Sequence, residues 1–378
     1  MTQVFPAMSP AASLHAYPLL NHFKTMMGPY GLYQHATSRV PLLREGYCTD
    51  DNARAVQVLV HLRSLMAIEE RGLVDQFLER CWQFLREART GAGEYLNFRS
   101  AQGGWLPTGV SDDMYARLIR TFVTVLMHDG TAARRQQAQE MLTELLVALP
   151  RLQAPRAWAE ILLSLASLPI ELQQSLAAKS IISHGLEFLH RLWQHQASAA
   201  WPWFELKMTY ANALLPHGLL AGLRVAPQTT YEEILHQSAQ FLIKTTIPQE
   251  IFIPIGSVGW YEKGGEPSQD NQQPIEAGTM FDFLIDYYRS FPQRVTVAQV
   301  TAPYLWFYGY NTHRLALVDP MTGASFDGLF RHGPNKNCGA ESLLAYLWAE
   351  ILLQQAPPAM REVATLKRSE FVSSSDLT

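Results

Sequence analysis

The sequence predicts an all-α protein, an (α/α)6 toroid of six helical hairpins, with small β-hairpins in the loops of one face. Three observations carry that expectation. Helical periodicity runs through most of the chain. Segments with a polar face alternate with segments that are apolar all round. The connections are plain at one end of the hairpins and long, with Trp, Gly and Pro, at the other.

Taken in order, a polar-faced segment over about 10 to 27 leads to an apolar helix starting near 50, AVQVLVHL. The segment over 72 to 89 leads to MYARLIRTFVTVL from 112, and 131 to 149, with RRQQAQEMLTE, leads to AWAEILLSLASL from 156. The fourth pair is 172 to 196 with ANALLPHGLLAGL from 210, and the fifth is 229 to 246 with EAGTMFDFLIDYY from 274. The last is 292 to 308 with AESLLAYLWAEILL from 338. Polar-faced helices suit an outer ring, and helices apolar all round suit the layer between that ring and a central core. Inner starts lie 62, 44, 54, 64 and 64 residues apart, the spacing of a repeated hairpin with variable loops.

Inner-to-outer links are short (EERG, HDG, LPIE). Three of the long links, EYLNFRSAQGGWLPTG, EIFIPIGSVGWYEKGG and HRLALVDPMTGASFDGL, read as strand-turn-strand with Gly or Pro at the bend. One domain is expected over residues 8–360, followed by a disordered polar tail over 361–378 that ends KRSEFVSSSDLT.

Composition fits a large core, with 48% hydrophobic and 17% charged residues. A net charge of -4 with thinly spread Lys and Arg gives no face for phosphates, which argues against nucleic acid and for a neutral, polar ligand. No basic stretch leads into an apolar run at the N-terminus and no run is long enough to span a membrane, so a cytoplasmic protein is expected. Cys48, Cys81 and Cys338 form no disulfide framework, consistent with a reducing compartment.

Loops on a rigid scaffold concentrate binding and catalysis, so the site is expected where the inner helices begin. Asp50 and Asp51 follow Thr49 there, and Asp112 and Asp113 follow Ser111. Capping and the helix dipole account for one acid per helix. They account less well for two, when Glu205, Asp270, Glu276, Asp327 and Glu341 come to the same face.

Aromatic and amide residues accompany the acids: Tyr47, Trp105, Trp201, Trp203, Tyr210, Trp260 and Tyr261, with Asn52, Asn212, Gln272, Gln273, Asn335 and Asn337. Aromatic faces stack on sugar rings while carboxylates and amides bond their hydroxyls. The bland alternative is packing beneath long loops.

Glycoside hydrolysis needs two carboxyl groups, an acid and a base or nucleophile, and a neighbouring carboxylate or burial raises the pKa of the acid. Asp51 and Asp113 are the favoured catalytic residues, with Glu205, Asp270 and Glu341 as rivals. Expected ligand-binding residues are Tyr47, Asp50, Asn52, Arg54, Trp105, Asp112, Trp203, Tyr210, His217, Gln272, Gln273, Glu276, His332, Asn335 and Asn337. Arg54 and Arg117 lie one turn beyond the doublets, where they either hold an acid ionised or form ordinary intrahelical pairs.

The motifs GYCTDDNARA, WFE with TYANALLPHGLL, DNQQPIEAG and FDGLFRHGPNKNCGAESLLAYL together resemble a family of bacterial six-hairpin (α/α)6-barrel glycosidase-like proteins, over about residues 30 to 355. Members resemble proteins found beside mannoside phosphorylases or fused to glycosyltransferases. The resemblance implies a toroid, a link to oligosaccharide metabolism and an association with a glycosyltransferase or glycoside phosphorylase. It does not fix the reaction. The sequence departs from the pattern at Ala211, Lys336 and Cys338 and keeps Glu341.

The expected function is thus a glycoside hydrolase acting on an oligosaccharide, mannose- or glucose-containing, by carboxylate acid/base catalysis, with no metal and no cofactor. A sugar epimerase or isomerase is the alternative, with His217, His313 or His332 abstracting a proton. Zinc held by Cys48, Cys338 and His332, and a glycan-binding module without turnover, are further alternatives.

Overall fold

The computed structural model describes residues 19–91, 93–107, 109–147, 149 and 152–375. Six helices form the inner ring: α2 (Thr49–Leu65), α4 (Asp112–His128), α6 (Pro155–Ala166), α9 (Leu214–Val225), α11 (Pro274–Ser290) and α13 (Ala340–Gln355). Each packs on the next and the last packs on the first, so the ring closes as an (α/α)6 toroid.

Their starts follow from local chemistry. Ser111 is extended, and its hydroxyl accepts from Met114 N at 3.2 Å, capping α4. Cys48 caps α2, its sulfur accepting from Asp51 N at 3.3 Å. Pro155 and Pro274 open α6 and α11, where the missing N–H costs no helical bond. Between α6 and α9 the backbones come close because Gly218 has no side chain. A Cβ there would lie 2.6 Å from Ala159 Cα.

The outer helices follow their inner partners instead of preceding them: α3 (Gly72–Ala88), α5 (Ala132–Val147), α8 (Leu176–Gln196), α10 (Thr229–Thr246), α12 (Val297–Trp306) and α14 (Pro358–Ser375). The expected leading outer helix over 10 to 27 is present only as the short α1 (Asn21–Met26), and residues 10–18 fall outside the described residues. The segment expected as a disordered tail over 361–378 is helical through Ser375 and occupies the sixth outer place. It docks because Met360 and Ala364 are buried and the Arg368 guanidinium sits 4.3 Å from the Tyr308 ring centroid, 3.7 Å from the buried Glu350. A four-residue turn, α7 (Ile170–Gln173), precedes α8.

The strands gather where the inner helices begin. β3 (Tyr47–Cys48) pairs with β6 (Phe98–Arg99), which pairs with β7 (Trp105–Leu106), so the first expected hairpin forms and is anchored beside the start of α2. The third forms as β10 (Val318–Asp319) with β11 (Ala324–Ser325), and β12 (Gly328–Phe330) with β13 (Gly333–Asn335) follows it. The second does not close on itself. Its β9 (Tyr261–Glu262) pairs instead with the distant β8 (Lys207–Met208), because long-range pairing satisfied the edge that a local turn was expected to satisfy. Two further hairpin pairs are β1 (Ala36–Thr37) with β2 (Val40–Pro41), and β4 (Arg89–Gly91) with β5 (Glu94–Tyr95).

Candidate functional site

The inner helices are not apolar all round. Two turn a polar stripe to the toroid axis, α2 with Asp50, Arg54, Gln57 and His61 and α4 with Asp113, Arg117 and Arg120, and Glu160 of α6 and Asp282 of α11 face them among apolar neighbours. Helical spacing of three or four residues stacks such side chains on one face. Facing stripes then meet as a ladder of ion pairs.

At the mouth, Arg54 Nη2 lies 2.8 Å from Asp51 Oδ1 and 3.2 Å from Glu341 Oε2, while its Nε lies 3.1 Å from Asp50 Oδ1. Arg117 Nε reaches the same Asp50 oxygen at 2.5 Å, and Arg117 Nη1 stands 3.5 Å from Glu160. Deeper, Arg120 connects Glu160 at 3.6 Å to Asp282 at 3.0 Å, and Asp282 also accepts from Trp348 Nε1 at 3.0 Å.

A cavity of about 430 Å³ opens over the first rungs, walled by Asp50, Asp51, Arg54, Glu341, Gln273 and Asn335, with Gln34, His35, Asn97, Phe98, Asn271, Asp327 and Ser342. It mixes carboxylates, amides and one aromatic face, the group types that bond sugar hydroxyls and stack on a ring. Glu341 is 44% exposed at its side chain, so it meets whatever enters.

The two acids of the doublet are driven apart. Burial raises the Asp51 carboxyl, and neighbouring Asp50 raises it further against the opposing pull of Arg54. Burial also acts on Asp50, but Arg117 and Arg54 outweigh it and hold that carboxyl below its ordinary value. Cys48 Sγ donates to Asp51 Oδ2 at 3.0 Å, and burial pushes its thiol well up, so it stays a neutral donor. Opposed shifts of this kind separate a proton donor from an ionised partner.

Other expected residues lie elsewhere. Asp113 Oδ2 accepts from Tyr210 OH at 2.6 Å, and Glu205 pairs with Arg156 at 3.0 Å, in a cluster beside the second and third inner helices. Glu276 belongs to the same cluster, accepting from Ala211 N and from Asn212 Nδ2 at 3.1 Å. Burial raises its carboxyl to about 7. Asp112 accepts from Gln153 N and Ala154 N at 2.6 and 2.8 Å and so caps the entry to α6. Asp270 accepts from Arg331 N at 3.0 Å in the outer loops.

Tyr47, Asn52, Trp203 and Gln272 are buried and pack or bond within the scaffold instead of walling the cavity. Asn52 bonds the backbone of Leu32, Gln272 accepts from Trp306 Nε1, and Trp203 is part of the core. Trp105 packs against Phe84 with the rings tilted, centroids 5.0 Å apart, and Asn337 accepts from Ser38 N at 2.9 Å.

The histidines proposed for proton abstraction are dispersed. His217 Nε2 bonds Asp286 at 3.1 Å at the far end of the axis, His313 Nε2 bonds Arg331 O at 2.9 Å, and His332 stacks on Phe330. Cys48, Cys338 and His332 do not converge, and among the described residues no three His, Cys, Asp or Glu are grouped to hold a metal ion.

Gln34, His35, Asn97, Phe98, Glu160 and Asp282 were missed by the sequence reading. For Glu160 and Asp282 a signal existed, since polar residues recur at helical spacing inside otherwise apolar segments. For the loop residues no periodicity marks them.

No protein-family model matches the chain, and no curated protein sequence matches it. Solved structures do. A D-mannose isomerase superimposes with a TM-score of 0.66 at 13% identity, over 90% of this chain and 96% of that one. A sugar epimerase from a ruminal bacterium gives 0.66 at 9% identity, over 91% and 97%. The GH76 α-mannanase of Bacteroides thetaiotaomicron gives 0.59 at 11%, over 89% and 93%. The chain shares their toroid. At these identities the likeness shows the fold alone.

Proposed function

We propose that the protein is a carbohydrate-active enzyme that hydrolyses a glycosidic bond of an oligosaccharide at the mouth of the toroid. The observation that carries this reading is the fork of Arg54, which holds Asp51 and Glu341 together under an open polar cavity, while burial raises the Asp51 carboxyl and Arg117 and Arg54 lower that of Asp50. Asp51 protonates the leaving glycosidic oxygen. Glu341, the more exposed, attacks the anomeric carbon, and Asp51 then takes a proton from the water that releases the sugar.

Because both carboxyl oxygens bond one nitrogen, at 2.8 and 3.2 Å, they lie at most about 6 Å apart. That closeness supports retention over inversion, which needs room for a water between the acids. Asp50 stays ionised and fixes Arg54 and Arg117. Phe98 offers a stacking face.

The test is product analysis of manno- and gluco-oligosaccharides with the unchanged chain, Asp51→Asn and Glu341→Gln. Each variant is expected to lose at least about 100-fold in kcat/KM. Undiminished turnover in both removes the assignment.

The likeness to a sugar epimerase and a D-mannose isomerase supports a second reading, proton transfer at a sugar carbon, with His35 as the histidine on the cavity wall. Deuterium from solvent entering the sugar without cleavage distinguishes it. An association with a glycosyltransferase or glycoside phosphorylase rests on the sequence resemblance. No helix among the described residues is long and apolar enough to cross a membrane, and a reducing compartment is proposed on the three unpaired cysteines.

A further inference from the structure

The ion-pair ladder does not end at solid core. Below Trp348, at the plain end where the inner helices finish, a second cavity of about 200 Å³ opens, and His61, His128, His217, Trp348, Thr124 and Ser167 are among its walls. His128 and Arg224 are exposed at its rim, so it opens to solvent on the face opposite the mouth. Between the two lies a void of about 70 Å³ lined by Arg54, Arg117, Arg120 and Trp348, room for a few waters and not for a sugar ring. The base cavity is therefore filled from its own side.

Its charges are already matched. Arg120 is held by Asp282 at 3.0 Å, and Arg224 and His217 by Asp286 at 3.1 Å each. An ion would find no spare countercharge. His61 and His128 stand ring to ring at 4.7 Å, and Trp348 meets His61 edge-on at 5.1 Å. Burial lowers the His61 imidazole to about 3, with His128 and Arg120 adding to the effect, and partial desolvation at the rim lowers that of His128, so each is neutral and offers one donor and one acceptor nitrogen. Neutral donors and acceptors beside an indole match vicinal hydroxyls on an apolar ring face.

We infer that the base cavity is a second ligand site, for one neutral monosaccharide unit, independent of the mouth. Its polar contacts come from His61, His128, Thr124 and Ser167, with Trp348 as the apolar wall. Arg120, Asp282, Arg224 and Asp286 form a neutral frame around it.

Equilibrium dialysis of the full chain with labelled D-mannose and D-glucose tests the assignment. Ser167→Trp, which fills the rim, is expected to remove one bound equivalent at unchanged helix content. His61→Leu keeps the packing against Trp348 and is expected to weaken the same equivalent about tenfold. If the mouth takes no sugar, the unchanged chain binds one equivalent and Ser167→Trp none, which upholds the base site and counts against the mouth. Equal stoichiometry in the unchanged chain and folded Ser167→Trp overturns the inference. Should Ser167→Trp not fold, unaltered affinity in His61→Leu overturns it.

Discussion

Asp50 and Asp51 are neighbours in sequence with opposite fates, because a helix turns consecutive side chains by about 100° and so points them at different partners. Asp51 faces Cys48, Arg54 and Glu341, whereas Asp50 lies between two guanidinium groups. Asp50→Asn removes a negative charge that raises the Asp51 carboxyl and frees Arg54 to act on it. The alkaline limb of kcat/KM is expected to move to lower pH in that variant, and a pH-rate profile checks it. Glu276 gives a stability counterpart. Its folded pKa of about 7 exceeds the ordinary 4.5, so the folded state holds the extra proton between those values. Stability is expected to fall as pH rises through that window, by roughly 3 kcal/mol in all. Glu276→Gln flattens the dependence, as thermal unfolding at pH 5 and pH 8 would show.

At the scale of elements, the close crossing of α6 and α9 depends on the missing side chain of Gly218. Gly218→Ala places a methyl against Ala159 backbone and is expected to cost about 1–3 kcal/mol in denaturant unfolding despite the better helix propensity of alanine. Helix α14 depends on a polar latch: buried Glu350 accepts from Tyr304 OH at 2.9 Å and from Tyr308 OH, and Arg368 closes the group from outside. Arg368→Ala is expected to destabilise by about 1–2 kcal/mol, less than for a fully buried ion pair because Arg368 is partly solvated. The six inner helices were legible because apolar periodicity needs no partner to be seen. Helix α14 was not: KRSEF is polar on most sides, and the few groups that dock it, Met360, Ala364 and Arg368, matter only once α12 and Glu350 are beside them.

Over the whole molecule, a closed ring brings polar residues scattered over several inner helices into one axial ladder with a cavity at each end. Arg117 stands at its centre, close to fully buried between Asp50 and Glu160. Arg117→Met removes one of the two cations beside each acid, leaving Asp50 to Arg54 and Glu160 to Arg120, and unfolding is expected to show a loss of about 3 kcal/mol. Of the expected site residues, Asp50, Asp51, Arg54, Gln273, Asn335 and Glu341 share the mouth, while Asp113, Glu205 and Glu276 form a neighbouring cluster and His217 lies at the opposite end. The amino-acid sequence by itself determined the helical hairpins, their alternation and the end at which acids collect, because periodicity and helix starts are local properties. Only the tertiary structure decided which acids meet, which carboxyl is raised and which lowered, and that the axis has two ends, because pairing and desolvation depend on side chains brought together from helices as far apart in sequence as Arg54 and Glu341.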